Sequence, residues 1–332
     1  MQIFQSVSFA SLWFHYLDDF LAICAARHKE AGFSKDFAGV VDLCAELGVP
    51  LAAGKSVGPC TKLIFLGLEI DTMEMTVSIP PGKRDRYASS LEEISVKRSE
   101  RKRKLESVLG KLFHAASVIP VGRAFLRPLI NKVAAQPYGS SWVSLGREDR
   151  ESIKWWVYLL RHWKGVCLMD FPVFSRQADL ELASDSAGSG GLGIVYGREW
   201  VVAEWPHPHP ANIAVLELIP LVIAAAIWGA SWEGRSVEFL SDNGAVVCSG
   251  NSLLPKHPHL ASLIRELATL AVIHRFRFRV VHIPGVLNTL PDMLSRGRIR
   301  EFRVAFPQAL GEPTPIPGGL LERLVREPRG TR

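Results

Sequence analysis

The sequence predicts a multidomain α/β protein, and three observations support this prediction. The chain has 332 residues, enough for two domains or three small ones, and 48% of them are apolar. From residue 178 onward, strand and helix patterns alternate, which is typical of an α/β domain. Between Lys83 and Lys132 the apolar positions have helical spacing, and 13 Lys or Arg residues stand against 5 Asp or Glu residues. The composition excludes a disordered, a collagen-like or a small disulfide-stabilised protein.

Charge is distributed unevenly along the chain. The formal net charge is +6, from 39 Lys and Arg against 33 Asp and Glu. The block 83–132 alone carries +8 (13 − 5), so the rest of the chain carries about −2 and is slightly acidic. This pattern is expected where one part of a protein binds a polyanion and another gathers carboxylates for chemistry.

The cysteines and the apolar segments indicate an intracellular protein, in the cytoplasm or the nucleus. The five cysteines are odd in number, and no C-x-x-C motif is present. We expect no signal peptide, because no Lys or Arg precedes the first apolar stretch and Asp18-Asp19 interrupts it. The segment 213–232 has the length of a membrane span, but Glu217 and Pro220 favour a buried helix and no membrane partner.

The N-terminal part, 1–80, is predicted to be mainly strands. Residues 9–25 alternate around Tyr16-Leu17-Asp18-Asp19 and predict a hairpin with acids at its tip. Helical spacing predicts a helix over 35–47, and strands are predicted over 63–70 and 75–79.

The middle of the chain is predicted to be helical. Residues 81–135 form a basic unit with two packed helices, followed by a Trp-rich connector over 136–177. Within this connector, residues 148–163 have the apolar stripe of an amphipathic helix, and their tryptophans predict packing between domains.

The C-terminal part is predicted to be an α/β domain over 178–300, a mixed sheet with flanking helices. Its predicted elements are strands from Leu180, over 191–196, 199–205, 237–241 and 276–283, helices over 211–228 and 287–295, and one further helix between the last two strands. Residues 301–332 are rich in Pro and Gly and predict a linker or a frayed tail.

Four carboxylates of this domain occupy unusual positions: Asp185, Glu217, Asp242 and Asp292. Two follow or end apolar strands, one lies inside the most apolar helix, and one lies in the helix after the last strand. Such acids would converge at one sheet edge, where they repel unless cations neutralise them. Mg²⁺ is the natural cation, with Mn²⁺ as a substitute, and two such ions would support hydrolysis of a phosphodiester.

Each of these residues also has an ordinary structural interpretation. A single Asp at a strand end is usually a turn or a helix cap. Glu217 between Leu216 and Leu218 is harder to explain, because an isolated carboxylate in an apolar helix is costly. His282 begins the pattern H-x5-N-x3-D, which chance produces about 0.005 times in such a chain. Taken alone, His282 is as well explained by a structural role as by proton transfer.

The motifs of 178–300 resemble the retroelement branch of ribonuclease H. The resemblance lies in L-A-S-D-S-A around Asp185, V-L-E-L around Glu217, F-L-S-D-N around Asp242, and H-I-P-G through Asn288 to D-M-L-S-R from Asp292. It implies a domain that cuts the RNA strand of RNA–DNA hybrids with two Mg²⁺ ions. It also implies that the four acids are metal ligands and that His282 is a mobile proton-transfer residue.

The N-terminal motifs resemble the second half of a reverse transcriptase palm. Tyr16-Leu17-Asp18-Asp19 is a Y-x-D-D motif, which chance produces about 0.007 times in this chain, although an acidic β-turn is its simpler interpretation. Phe65-Leu66-Gly67 followed by acids resembles the primer-gripping hairpin, and the helices of 81–135 resemble a thumb. Lys55 is either a palm-loop lysine or an ordinary surface residue.

Together these segments resemble a retrotransposon polyprotein, most closely of the DIRS-type group. A reverse transcriptase palm needs a further aspartate on an earlier strand, and no Asp or Glu precedes Tyr16. We therefore expect that this chain alone does not polymerise DNA and that a missing palm and fingers segment of the same polyprotein is a partner. We expect the basic unit and Asn288 to bind the nucleic-acid backbone of the hybrid. The residues concerned are Lys97, Arg98, Arg101, Lys102, Arg103, Lys104 and Asn288.

Three functions stay open on the sequence alone. The first is a ribonuclease H within an incomplete reverse transcriptase. The second is a remnant that binds RNA–DNA hybrid or RNA without cutting it. The third is a fragment of a longer functional RNA-directed DNA polymerase. Mg²⁺-dependent cleavage of a hybrid separates the first from the second.

Overall fold

The chain forms two compact units in the computed structural model. The model describes residues 11–24, 30–52, 54–137, 141–162, 166–168, 178–209 and 212–326. The first unit runs to Arg84 and includes the short strand Val166–Leu168, and the second contains the other described residues. Predictions for 1–10, Trp163, 169–177 and 327–332 fall outside the described residues.

The first unit begins with the predicted hairpin. Strands β1 (Ser11–Tyr16) and β2 (Asp19–Cys24) pair antiparallel, with Tyr16 opposite Asp19. Helix α1 (Glu30–Glu46) follows, and Trp13 is buried against its Val40 and Cys44. The predicted hairpin and helix are both confirmed. Side chains alternate between the two faces of β1, so that Trp13 lies on the face that packs against the helix.

A second sheet of the first unit corrects one prediction. Its order is β3 (Lys62–Phe65), β4 (Leu68–Asp71), β5 (Thr76–Ser78) and β8 (Val166–Leu168). The single strand predicted over 63–70 is therefore wrong. Leu66 and Gly67 both have positive φ, 50° and 75°, and form a two-residue turn that divides the segment into a hairpin.

The helical part contains more elements than the sequence predicts. Its elements are α2 (Pro81–Ser95), α3 (Lys102–Ala115), a 3-10 helix (Pro120–Phe125), α4 (Arg127–Ala134) and α5 (Arg147–His162). Short strands β6 (Ser99–Arg101) and β7 (Trp142–Ser144) pair antiparallel. Trp156 of α5 is fully buried against Gly122, where a Cβ atom would lie 2.4 Å from its ring.

The α/β domain is built on a five-stranded mixed sheet of order β11-β10-β9-β12-β13. Its strands are β9 (Leu180–Ser186), β10 (Gly191–Tyr196), β11 (Glu199–Glu204), β12 (Ser236–Ser241) and β13 (Arg277–His282). The first three pair antiparallel, and β12 is parallel to both β9 and β13. Its helices are α6 (Ile213–Trp228), α7 (Gly244–Ser252), α8 (Pro258–Ile273) and α9 (Thr289–Ser295).

Helix α6 is the central helix of this domain. The segment Ile213–Trp232 is long and apolar enough to cross a membrane, but 78% of its most apolar window is buried inside the protein. It contacts β9, β10 and α8. The prediction of a buried helix, made from Glu217 and Pro220, is confirmed.

Residues 301–326, predicted as part of a linker or frayed tail, are packed onto the domain. They include the C-terminal part of α10 (Ile299–Ala305) and all of α11 (Leu320–Val325). Trp200 Nε1 donates to the carbonyl of Leu310 at 2.9 Å, and His259 Nε2 lies 2.8 Å from the carbonyl of Leu324. The frayed tail predicted from proline and glycine content is therefore wrong for 301–326. The contacts that hold this segment come from residues far away in the sequence, which local composition does not reveal.

Candidate active site

Two of the four acids lie side by side at one edge of the sheet. Asp185 is the sixth residue of β9, and Asp242 directly follows β12. The parallel register pairs Leu240 with Ala183, so continuing it by two residues brings Asp242 level with Asp185. The carboxyl ends of neighbouring parallel strands form the usual ligand-binding edge of α/β sheets.

Helix α6 adds Glu217 to this edge. The Ser186 hydroxyl donates to the carbonyl of Leu216 at 3.0 Å, which ties the helix to the end of β9. The Glu217 carboxylate accepts hydrogen bonds from Asn243 Nδ2 at 3.2 Å and from Ser241 Oγ at 3.3 Å. Glu217 therefore lies against the segment that carries Asp242.

Helix α9 adds Asp292 and approaches the sheet closely. A Cβ atom at Gly193 would lie 2.4 Å from the carbonyl oxygen of Pro291, so only glycine allows this packing. Gly193 is paired with Asp185 across β10 and β9. Ser295, one turn after Asp292, donates its hydroxyl to Asp185 Oδ2 at 2.5 Å.

Burial and neighbouring charges raise the pKa of two of these acids. Burial, with a smaller contribution from the charges of Asp242 and Asp185, raises the pKa of Glu217 to about 7, although hydrogen bonds from Asn243 and Ser241 oppose the rise. Burial also raises the pKa of Asp185; the Ser295 hydrogen bond opposes this, and the charges of Asp242 and Asp292 add to it. The charges of Asp242 and Asp292 thus act on Asp185, and those of Asp185 and Asp242 act on Glu217.

Asp292 differs from the others in its partners. It forms ion pairs with Arg296, at 2.6 Å, and with Arg298. Among the residues that the structure describes, no three His, Cys, Asp or Glu side chains are grouped as ligands of one metal ion. The all-carboxylate set has the chemistry that Mg²⁺ prefers, but its members are not drawn together around one point.

His282 and Asn288 have different environments. His282 ends β13 and is exposed, and its register partner is Ser241, the residue before Asp242. Asn288 is 1% exposed, and its Nδ2 donates to the carbonyl of Ser184 at 2.9 Å. The structure thus places Asn288 as a buried link between β9 and α9, whereas the sequence predicts contact with nucleic acid.

Several residues of this edge carry no signal that sequence reasoning used. Three residues that contact the acids are assigned no role from the sequence, although they lie in or just after the D-M-L-S-R motif: Ser295, Arg296 and Arg298. Gly285 is another example, since a Cβ atom there would lie 2.9 Å from Asp242 Oδ2. Ser295 and Arg296 could have been found from the sequence, because residues three and four positions after Asp292 lie on the same face of a helix.

The predicted basic residues are partly neutralised within their own unit. Lys97 and Lys104 both pair with Glu93, at 2.6 and 3.0 Å, and with Glu100, at 2.9 and 3.5 Å. Lys102 donates to a backbone carbonyl, and the Arg101 guanidinium lies 5.8 Å from the Trp142 ring centre. The two exposed members that are left are Arg98 and Arg103.

The Y-x-D-D turn lies in a different environment. Asp18 and Asp19 are exposed at the tip of a two-stranded sheet, and Tyr16 is 59% exposed. Leu17 has a φ of 53°, a left-handed conformation that is strained for a residue with a side chain. The turn is formed as predicted, and both of its acids are exposed in the described part of the chain.

Comparisons with known proteins give similarity at the level of structure alone. No family model matches the chain, and no curated protein matches it. A foamy viral protease-reverse transcriptase solved with double-stranded DNA is 16% identical, with a TM-score of 0.37, over 82% of this chain and 46% of that one. LC11-RNase H1, solved with an RNA/DNA hybrid, is 18% identical, with a TM-score of 0.30, over 36% of this chain and 99% of that one. RNase H1 from Halobacterium salinarum NRC-1 is 15% identical, with a TM-score of 0.28, over 37% of this chain and 98% of that one. The chain spans less than half the length of the foamy viral protein.

Proposed function

We propose that the α/β domain is a ribonuclease H that hydrolyses the RNA strand of RNA–DNA hybrids with two Mg²⁺ ions. The observation that supports this proposal is geometric: Asp185 and Asp242 lie at the ends of neighbouring parallel strands. Glu217 is hydrogen-bonded to Ser241 and Asn243, and Ser295, one turn after Asp292, is hydrogen-bonded to Asp185. Sequence motifs resembling those of retroelement ribonuclease H surround all four acids. The wider assignment, to a DIRS-type retrotransposon polyprotein, rests on that sequence resemblance.

The chain's own residues would divide the work between them. Asp185, Glu217, Asp242 and Asp292 would hold the metal ions through carboxylate oxygens, with Mn²⁺ as a substitute for Mg²⁺. When bound, such ions activate a water molecule and stabilise the leaving oxygen of a phosphodiester. The exposed imidazole of His282, at the same edge, would take or supply a proton.

Substrate binding would depend on the phosphate backbone and on the RNA strand. Phosphate contacts make binding sensitive to salt and largely independent of sequence. The 2′-hydroxyl groups distinguish the RNA strand from DNA. We assign the phosphate contacts first to Arg98 and Arg103, because the paired lysines nearby already have acidic partners.

A second candidate function is binding of hybrid or RNA without cleavage. One observation favours it: Asp292 is engaged by two arginines, and the described residues contain no grouped metal ligands. A site of this kind would still bind nucleic acid through its basic residues. It would not need to assemble metal ions.

The experiment is cleavage of duplexes that differ only in strand chemistry. The purified chain is incubated with labelled RNA–DNA hybrid, double-stranded RNA or double-stranded DNA of one sequence, with Mg²⁺, with Mn²⁺ or with a chelator. We expect cleavage of the RNA strand of the hybrid alone, dependent on either metal and lost in Asp242→Asn. Binding of the hybrid with no cleavage under any metal condition would establish the second candidate instead.

A further inference from the structure

Asp292 is the one acid of the candidate site that is paired with cations in the described part of the chain. Asp185 and Glu217 accept hydrogen bonds from Ser295, Ser241 and Asn243. No ion pair links Asp185, Glu217 or Asp242 to a described Lys, Arg or His residue. Asp292, in contrast, is bound by both Arg296 and Arg298.

The backbone after α9 directs both arginines to Asp292. Arg296 follows it by four residues and so lies on the same helical face. Gly297 then adopts a φ of 70°, and the backbone N–H of Arg298 donates to the carbonyl of Met293 at 2.7 Å. This glycine-terminated helix end reverses the chain and brings Arg298 back to the same carboxylate.

We propose that Arg296 and Arg298 form a guanidinium clamp on Asp292 that competes with a metal ion for this acid and so lowers the affinity of that ion. This inference rests on the proposed function. Arg296 contacts Oδ1 of Asp292 and Arg298 contacts Oδ2, so a metal ion that takes either oxygen competes with a guanidinium group for it. The ion that uses Asp292 therefore binds more weakly than an ion held by the other acids.

The clamp is held loosely enough to exchange. The side chain of Asp292 is 31% exposed and those of the arginines 58% and 39%, and ion pairs between partly exposed groups contribute little free energy. Arg298 Nη1 also pairs with Glu301 at 3.4 Å, but its Nε is buried with no hydrogen-bond partner among the described residues, so this guanidinium is not fully satisfied where it lies. Once released from Asp292, the two guanidinium groups would be free to donate hydrogen bonds to a phosphate of the bound strand.

The test compares metal binding by variants without nucleic acid. Arg296→Gln/Arg298→Gln removes the clamp and two positive charges, and the control Arg300→Gln removes one positive charge from an exposed position two residues further on. Isothermal titration with Mn²⁺ gives the affinity of each protein. We expect the weaker Mn²⁺ affinity to rise about fivefold in the double variant, as expected for the loss of two competing weak ion pairs, and to change little in Arg300→Gln.

The outcome can contradict the clamp in a definite way. A double variant that binds Mn²⁺ no more tightly than Arg300→Gln would overturn it. If the double variant does not fold, as checked by thermal unfolding, Arg296→Gln alone replaces it, because this side chain is the more exposed of the two. We then expect about half the change in free energy of binding, and an unchanged affinity would overturn the clamp equally.

Failure of the clamp is distinguishable from failure of the proposed function. Wild-type protein that cleaves the hybrid but has the same Mn²⁺ affinity as the double variant refutes the clamp alone. Protein that binds Mn²⁺ more tightly without the arginines, yet cuts no hybrid in any form, supports the clamp and refutes the nuclease. Absence of Mn²⁺ binding in every variant overturns both.

Discussion

The N-terminal hairpin and the α/β domain both carry acids in motifs that chance seldom produces, yet they place them in opposite environments. Asp185 and Glu217 are only 9% and 8% exposed, and a five-stranded sheet and two helices surround them. Asp18 and Asp19 are exposed at the tip of two strands. Their neighbours Phe14 and Leu17 are also exposed, at 50% and 80%.

This difference shows what a motif needs in order to act. Burial raises the pKa of Glu217 and Asp185, so their negative charge where they lie requires a compensating proton or cation. Acids in water attract a cation weakly, because solvent screens them. A motif that chance seldom produces indicates that its residues act as a group. The structure around the motif determines what chemistry that group supports.

The largest expected effect separates the two regions directly. We expect Asp185→Asn to lower the rate of hybrid cleavage at least about 1000-fold, because a metal-binding charge is lost. The same substitution at Asp18 should leave this rate within about twofold, because that acid belongs to the exposed hairpin. Initial rates under saturating Mg²⁺ test both variants. Equal losses would show that the hairpin takes part in cleavage and would break the comparison.

The next effect concerns stability without metal. Glu217 has a folded pKa of about 7, above its ordinary value of 4.5, so the folded state binds more protons between these values. The free energy of unfolding of metal-free protein should therefore fall by about 3 kcal/mol as pH rises from below 4.5 to above 7. Glu217→Gln should lose most of this decrease and keep the part that the raised pKa of Asp185 contributes, whereas Glu181→Gln, an exposed acid of the same strand as Asp185, should keep all of it. Urea unfolding in chelator at several pH values measures it, and parallel profiles for wild type and Glu217→Gln would contradict the burial argument.

A smaller effect is expected at Ser295, which positions Asp185 through its hydroxyl. Ser295→Ala should weaken Mn²⁺ binding about 10-fold or more, as for other residues that orient metal ligands. Ser152→Ala is the matched control, since Ser152 is equally buried but lies on α5. If Ser295 positions Asp185, both variants should lose a similar free energy of unfolding, but only Ser295→Ala should bind Mn²⁺ more weakly. A similar loss of affinity in both would indicate a purely structural effect.

The smallest effect concerns the basic block. Arg98→Ala/Arg103→Ala should weaken hybrid binding a few-fold and reduce the slope of log affinity against log salt by about 1 to 2. Lys97→Ala/Lys104→Ala should change both quantities less, because Glu93 and Glu100 already neutralise these lysines. Fluorescence anisotropy at several salt concentrations gives the slopes. A larger effect for the lysine pair would show that its ion pairs open on binding.

The elements with clear periodicity could be predicted from the sequence. The hairpin, α1 and the order of strands in the α/β domain follow from alternating or helical spacing of apolar residues, but the single helix predicted between β12 and β13 is two helices, α7 and α8. The positions of the acids at strand ends follow as well, because parallel strands end at a common edge. These are the features that local sequence determines.

Other features depend on contacts that local patterns do not contain. The three-residue pairing of Ser99–Arg101 with Trp142–Ser144 is too short to give a pattern. The packing of the C-terminal segment depends on Trp200, more than a hundred residues earlier. The neutralisation of Lys97 and the engagement of Asp292 by arginines are likewise visible only once the side chains are placed.

The most direct test of the nuclease site is the rate of RNA-strand cleavage in a labelled hybrid by wild type and by Asp242→Asn. Both proteins are compared at saturating Mg²⁺, after hybrid binding and thermal unfolding have been measured for each. We expect wild-type protein to cut the RNA strand and Asp242→Asn to be at least about 1000-fold slower, with binding and stability retained. Equal rates for the two proteins, or no cleavage by wild type, would contradict the assignment of these acids to a nuclease.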